Sequence, residues 1–110
     1  MKSFTGIEQS KKLAEILPIK SADMHWQYIE EDNGQLQWFC LPKDFSINQH
    51  DTVSAWSLAA LLNVLPSSTL DSSNDHYYRL RCMERFTEWH DNPIDACYEM
   101  ILKLKEKDLL

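Results

Sequence analysis

The chain has 110 residues, 44% of them hydrophobic and 25% charged, with two glycines and four prolines. That suits one domain with a single core and argues against a low-complexity chain. A formal net charge of -6 and a pI near 5.1 speak against a duplex-binding role, because affinity for nucleic acid comes mainly from Lys and Arg neutralising phosphates.

The opening MKSFTGIEQSKKLAEIL has charge interrupting its apolar residues and does not read as a secretory signal. The most apolar run, Val53 to Leu65, is too short to cross a bilayer and contains Ser54, Ser57 and Asn63. Three cysteines, an odd number, suit free thiols in a reducing cytoplasm. The expectation is a soluble cytoplasmic protein with no membrane association.

In chain order, Thr5-Gly6-Ile7-Glu8 reads as a capping box that opens a short helix, with Ile7, Leu13, Ala14, Ile16 and Leu17 at roughly helical spacing and Pro18 as the stop. HWQYIEEDNGQLQWFCL then reads as a β-hairpin around Asn33-Gly34. A two-residue turn would put Trp38 on a face with Gln27 and Glu31. A type I turn with Gly34 as a bulge would instead pair Glu31 with Gln35 and gather Trp26, Tyr28, Leu36, Trp38 and Cys40 on one face. A one-residue slip sends every side chain to the opposite face, so the second register is preferred because it buries more apolar surface.

LPKDFSINQH, residues 41–50, reads as an irregular connection. SAWSLAALLNVLP, from Ser54, reads as a helix that is apolar nearly all round, hence a central core element or one with a face against another chain. PSSTLDSSND is polar and serine-rich, the signature of a mobile loop. In YYRLRC, Tyr78, Leu80 and Cys82 alternate with Arg79 and Arg81 as in a strand, and FTEWH, ending at His90, is a candidate further strand with no glycine or proline before it. PIDACYEMILKLKEKDLL carries Ile94, Cys97, Tyr98, Ile101 and Leu104 on one helical stripe. The predicted fold is a single α+β domain over residues 1–110, an antiparallel sheet of about four strands covered by three helices in the order α-β-β-α-β-β-α.

Few residues carry a chemical motif. HDNPIDAC, residues 90–97, combines a histidine, aspartates and a cysteine, yet reads first as a helix start. Asn92 is an N-cap, Pro93 fits the first helical position, Asp95 favours the positive end of the dipole, and Cys97 joins the apolar stripe. His90 and Asp91 alone lack a structural assignment. His25, His50, His76, His90 and the three cysteines show no CxxC, HxxxH or HExxH spacing, so no metal or other cofactor is expected. Ser54 and Ser57, near His50 and Asp51, invite a hydrolase reading, but Ser57 falls within the predicted helix and lacks a GxSxG turn.

The acidic run Glu30-Glu31-Asp32 flanks a turn and reads as a solvated cluster or a handle for a basic partner. Trp26, Tyr28, Trp38, Phe39, Tyr77, Tyr78, Phe86 and Trp89 load the predicted strands heavily, so some are expected at an interface, where Trp and Tyr act as anchors.

AWSLAALLNVLP at 55–66 and DNPIDACYEMILKLKE at 91–106, together with IEQSKKLAEILP at 7–18, resemble segments of small α+β accessory proteins encoded in prophages and mobile elements of anaerobic gut bacteria. The resemblance covers about a third of the chain, and it implies an element-borne accessory role while transferring no catalytic residue.

The leading expectation is a non-enzymatic accessory protein that binds another protein, or a second copy of itself as a homodimer, without nucleic acid. Trp26, Tyr28, Trp38, Trp56, Trp89, His90 and Asp91 are the candidate interface or pocket residues. One alternative is a small-molecule-binding protein or enzyme with a pocket between hairpin and central helix, lined by Trp26, Trp38 and Trp56 with His25 or His50 as polar contacts. Another is an acidic mimic of nucleic acid, which requires carboxylates along one face.

Overall fold

Helix α3, Pro93–Glu106, organises the molecule. The Asn92 side chain accepts the Asp95 N–H at 2.9 Å, Pro93 follows as the first helical residue, and Ile94, Cys97, Met100, Ile101 and Leu104 form a fully buried stripe. The computed structural model describes residues 2–30, 32–43 and 52–110. Among these, α1 (Ile7–Ala14) is followed by a 3-10 turn at Ile19–Ser21, then β1 (Met24–Glu30), β2 (Leu36–Pro42), β3 (Thr52–Ala55), α2 (Leu58–Val64), β4 (Ser68–Ser72), β5 (Tyr78–Cys82), β6 (Arg85–Phe86) and α3.

The class is α+β, but among the described residues the strands form two three-stranded antiparallel sheets, β2-β1-β3 and β4-β5-β6, instead of one sheet of about four. Two segments account for the difference. Thr52–Ala55, expected to begin the central helix in part, pairs with β1 as Met24↔Ala55 through Gln27↔Thr52. Ser54 therefore lies on a strand, and Ser57 is the N-cap of α2, accepting the Ala60 N–H at 3.3 Å. Ser68–Ser72, expected as loop, is β4, with Leu70 opposite Leu80 and Asp71 opposite Arg79. In both segments cross-strand partners distant in sequence outweigh local composition.

The first helix is capped one residue later than expected. Gly6 is the N-cap and donates its N–H to Gln9 Oε1 at 3.1 Å. Thr5 is instead fully buried, its Oγ1 accepting the Trp56 N–H at 3.1 Å and meeting Ser10 Oγ at 2.7 Å.

The hairpin takes the register that collects the aromatics: Trp26↔Cys40, Tyr28↔Trp38 and Glu30↔Leu36. Gly34 has φ +82°, the left-handed conformation of the bulged turn. Glu31, His50, Asp51 and most of the 41–50 connection lie outside the described residues. The expected burial is not realised, however. On β1 the fully buried side chain is Gln27, on the opposite face, while Trp26 and Tyr28 are half-buried and Leu36 is exposed. A sheet face is buried only by a layer laid across it, and the helices pack chiefly on β5, on β3 and on one another. The core cluster accordingly draws on α1, α2, β5 and α3 and takes no residue from β1 or β2.

The link between β5 and β6 explains why no glycine marked it. Cys82 pairs with Arg85 across a two-residue turn whose central residues, Met83 and Glu84, have φ of 53° and 64°. This geometry normally selects Asn-Gly, so here two side chains sit in a sparsely populated region. The strand ends at Phe86; Thr87–Trp89 follow as irregular chain.

Candidate functional site

On β5 the alternation sends Leu80 and Cys82 into the core and Arg79 and Arg81 outward. Phe86 sits opposite Arg81 on β6, sharing its face. The Arg79 guanidinium carbon lies 4.7 Å from the Phe86 ring centroid and 4.6 Å from that of Trp89, and its Nη2 reaches Asp71 Oδ2 at 3.3 Å. A cation between two aromatic faces, tethered by a carboxylate, loses little further freedom on binding. Both rings remain open: Phe86 is 46% and Trp89 45% exposed. Trp89 also shares with Tyr77, Ser73 and Asp75 the wall of a cavity of about 320 Å³. The outer face of β4–β5–β6 thus presents Trp, Tyr, Phe and Arg together.

His90 and Asp91 border this face. The His90 backbone pairs with Tyr78 in both directions, N–H to O at 2.8 and 2.6 Å. Its ring Nε2 lies 2.8 Å from Glu99 Oε1. Glu99 further pairs with Lys103 at 3.0 Å and accepts the Glu88 N–H. Asp91 is exposed and accepts from Asn92 Nδ2 at 2.8 Å. His90 therefore has a structural task, fastening the end of the second sheet to α3.

A second concavity, a shallow cleft of about 740 Å³, lies where α1, β1 and α3 meet, with Ile7, Trp26, Tyr98 and Leu102 as its apolar lining. Trp26 is fixed there by its Nε1 donating to the Thr5 carbonyl at 2.9 Å and by an edge contact with Phe4. At the rim, Asp95 binds Lys2 at 2.9 Å, Gln9 at 2.7 Å and Asn92 at 2.8 Å. Trp38 stacks on Tyr28 at 5.0 Å on the hairpin and does not line this cleft. Trp56 is 0% exposed, its indole N–H on Ser21 Oγ at 2.9 Å, so it is a core residue and reaches neither a pocket nor an interface. Trp26 thus lines the cleft without Trp38 or Trp56, and His50, an expected polar contact, lies outside the described residues.

The nucleophile candidates are quiet. Burial pushes the Cys97 thiol up to about 12. Burial, with the nearby Asp23 charge, pushes Cys40 up to about 11. Thiols so raised carry little thiolate at neutral pH. Ser57 Oγ is engaged with Asp23 and the α2 cap, and His25, across from Ser54, meets Gln27 Oε1 at 3.4 Å. Among the described residues no group of three or more His, Cys, Asp or Glu is placed to hold a metal ion. No helix of the described residues is long and apolar enough to cross a membrane. Asp71, Asp95 and Glu99 are each taken up by a cation of this chain, which removes them from any row that would mimic phosphates.

No family model matches the chain, and no curated protein and no solved structure matches it. The candidate site therefore rests on its own geometry. Sequence reading named Trp89, His90 and Asp91, which lie at or beside this face, and did not name Arg79, whose outward place on β5 was legible while its partners on β4, on β6 and after β6 were not.

Asp95 and Glu99 carry a pH dependence. For both, burial acts to raise the pKa, but hydrogen bonds from Lys2, Asn92 and Gln9 to Asp95, and from His90, Lys103 and the Glu88 N–H to Glu99, prevail and lower it. A carboxylate with a depressed folded pKa adds stability that is full above its unfolded value, about 4, and is lost as pH falls through the folded value. Urea midpoints are expected to hold steady from pH 7 to about 5 and to fall below about 4. Glu99→Gln should flatten part of that fall; an unchanged acid slope in this variant would remove Glu99 from the account.

Proposed function

We propose that this chain is a non-enzymatic accessory protein, of the kind carried by phages and mobile elements, that works by binding another protein through the outer face of β4–β5–β6. The observation that carries this reading is the Phe86–Arg79–Trp89 stack, whose two rings stay open to solvent on a face the core does not use. Trp, Tyr and Arg dominate interface hot spots, and a pre-ordered arginine reduces the entropy lost on docking. The partner that fits presents an apolar side chain to the cavity beside Tyr77 and Trp89 and a carboxylate to Arg81.

The test starts from affinity capture with the purified chain in its native host, followed by calorimetric titration of the captured protein. Trp89→Ala is expected to weaken that binding about 30-fold or more, a loss of about 2 kcal/mol, with little change in melting temperature. Equal affinity of the Trp89→Ala chain would overturn the assignment of this face. The apolar cleft beside Trp26 supports a second reading, a small-molecule site. A ligand raising the melting temperature of the native chain but not of Trp26→Ala would favour it.

A further inference from the structure

We infer that β2 pairs with β2 of a second copy, antiparallel about a two-fold axis at Trp38, joining the two β2-β1-β3 sheets into one continuous sheet. This goes beyond the partner face proposed above and uses a different surface.

The phase of the ladder fixes which backbone groups are open. The Lys43 N–H donates to the Asp23 carbonyl at 3.0 Å, continuing the β1–β2 register by one pair. Hydrogen-bonded and non-hydrogen-bonded pairs alternate in an antiparallel ladder. Leu41, Phe39 and Gln37 therefore bond to β1, and Leu36, Trp38 and Cys40 direct their N–H and C=O groups away from it. Among the described residues no strand pairs on that side.

Sheet edges are normally protected by charge, bulges, brevity or cover. β6 is two residues long, β4 carries Asp71, and β3 is four residues long and is followed by a bridge from Ser57 to Phe4. β2 has seven residues, LQWFCLP, without a single charge. Its one protective residue, Pro42, stands at the end.

The open groups select one register. Pairing Trp38 with Trp38, and Leu36 with Cys40 of the other copy, uses only outward-facing residues that keep their N–H, each pair exchanging both bonds. A slide one way brings in Pro42, which has no N–H to give. A slide the other way calls on Gly34, held in the turn at φ +82°. In the selected register the Trp38 rings of the two copies lie side by side between their Tyr28 partners, and exposed Leu36 gains a neighbour in Cys40. The arrangement also matches charge, because Lys43 of each copy falls opposite Asn33 of the other, beside acidic Asp32. A two-fold contact of this kind closes on itself.

The experiment uses the full chain. Sedimentation velocity is expected to show a dimer, and Trp38→Lys to weaken it at least tenfold while the circular dichroism spectrum stays folded. Should that variant misfold, Leu36→Lys, at an exposed position, serves the same purpose. Mild oxidation of Leu36→Cys is expected to link the introduced thiol to Cys40 of the second copy, because hydrogen-bonded partners have Cα atoms about 5.5 Å apart, within disulfide range. Within one strand positions 36 and 40 are roughly 13 Å apart, so no bridge forms inside a chain. Adding Cys40→Ser should abolish the link. A chain monomeric at high concentration, a dimer indifferent to charge at positions 36 and 38, or linkage that survives Cys40→Ser would each overturn the proposal, and none bears on binding through Trp89.

Discussion

Trp56→Ala is expected to lose about 3–5 kcal/mol of unfolding free energy, the range for removing a large aromatic from a packed interior. Trp56 is fully buried, and its surroundings are fastened to it by more than packing. The indole N–H donates to Ser21 Oγ, which ties in the 3-10 turn after α1, and the Trp56 carbonyl accepts the Thr5 N–H at 2.9 Å. Alanine leaves a cavity in the core, and it strips Ser21 Oγ of its donor. Domains of this size hold about 5–15 kcal/mol in total, so the variant is expected near the edge of folding. Urea denaturation measures it, with Trp56→Phe as a milder companion that restores most of the volume. A loss below about 1 kcal/mol would show that the surrounding core collapses into the cavity.

Thr5→Val, nearly isosteric, is expected to cost about 2–4 kcal/mol, because each buried group left without a partner costs about 1–3 kcal/mol. The Thr5 hydroxyl accepts the Trp56 backbone N–H and meets the Ser10 hydroxyl, and all three residues are buried. Valine fills the space and offers neither bond. Ser10 keeps only a long contact, 3.4 Å, to the Thr5 carbonyl. Thr5→Ser should recover most of the loss by restoring the oxygen. A valine variant as stable as the parent would mean that these groups find other partners.

These two residues mark where sequence reading stopped. The C-terminal helix was legible because its signals are local: Asn92, Pro93 and Asp95 are spaced for a cap, and the apolar stripe follows at helical period. The hairpin register was legible because a glycine turn and the aromatics agreed. β3 was not, since four residues acquire strand character only by pairing with β1, and their apolar neighbours imitate a helix. β4 hid in serines for the same reason, its Leu70, Asp71 and Thr69 gaining meaning only opposite β5. β6 lacked a glycine because Met83 and Glu84 take the left-handed turn themselves. Trp56 read as an interface residue because nothing local distinguishes a buried tryptophan from an exposed one. Thr5 read as a cap because its hydroxyl stands one residue from where a cap is needed. Of the candidate site, Trp89 was visible as a surplus aromatic, whereas the clamp on Arg79 joins three segments that only the fold assembles.

The absence of β1 and β2 from the core cluster has an evolutionary consequence. Selection for folding acts on the α3 stripe, on Leu80 and on Trp56, where a change of one methylene is felt. The aromatic face of the hairpin is largely released from that constraint, so its substitutions are filtered by what the hairpin touches. A substitution there is therefore expected to alter pairing at the β2 edge before it alters folding.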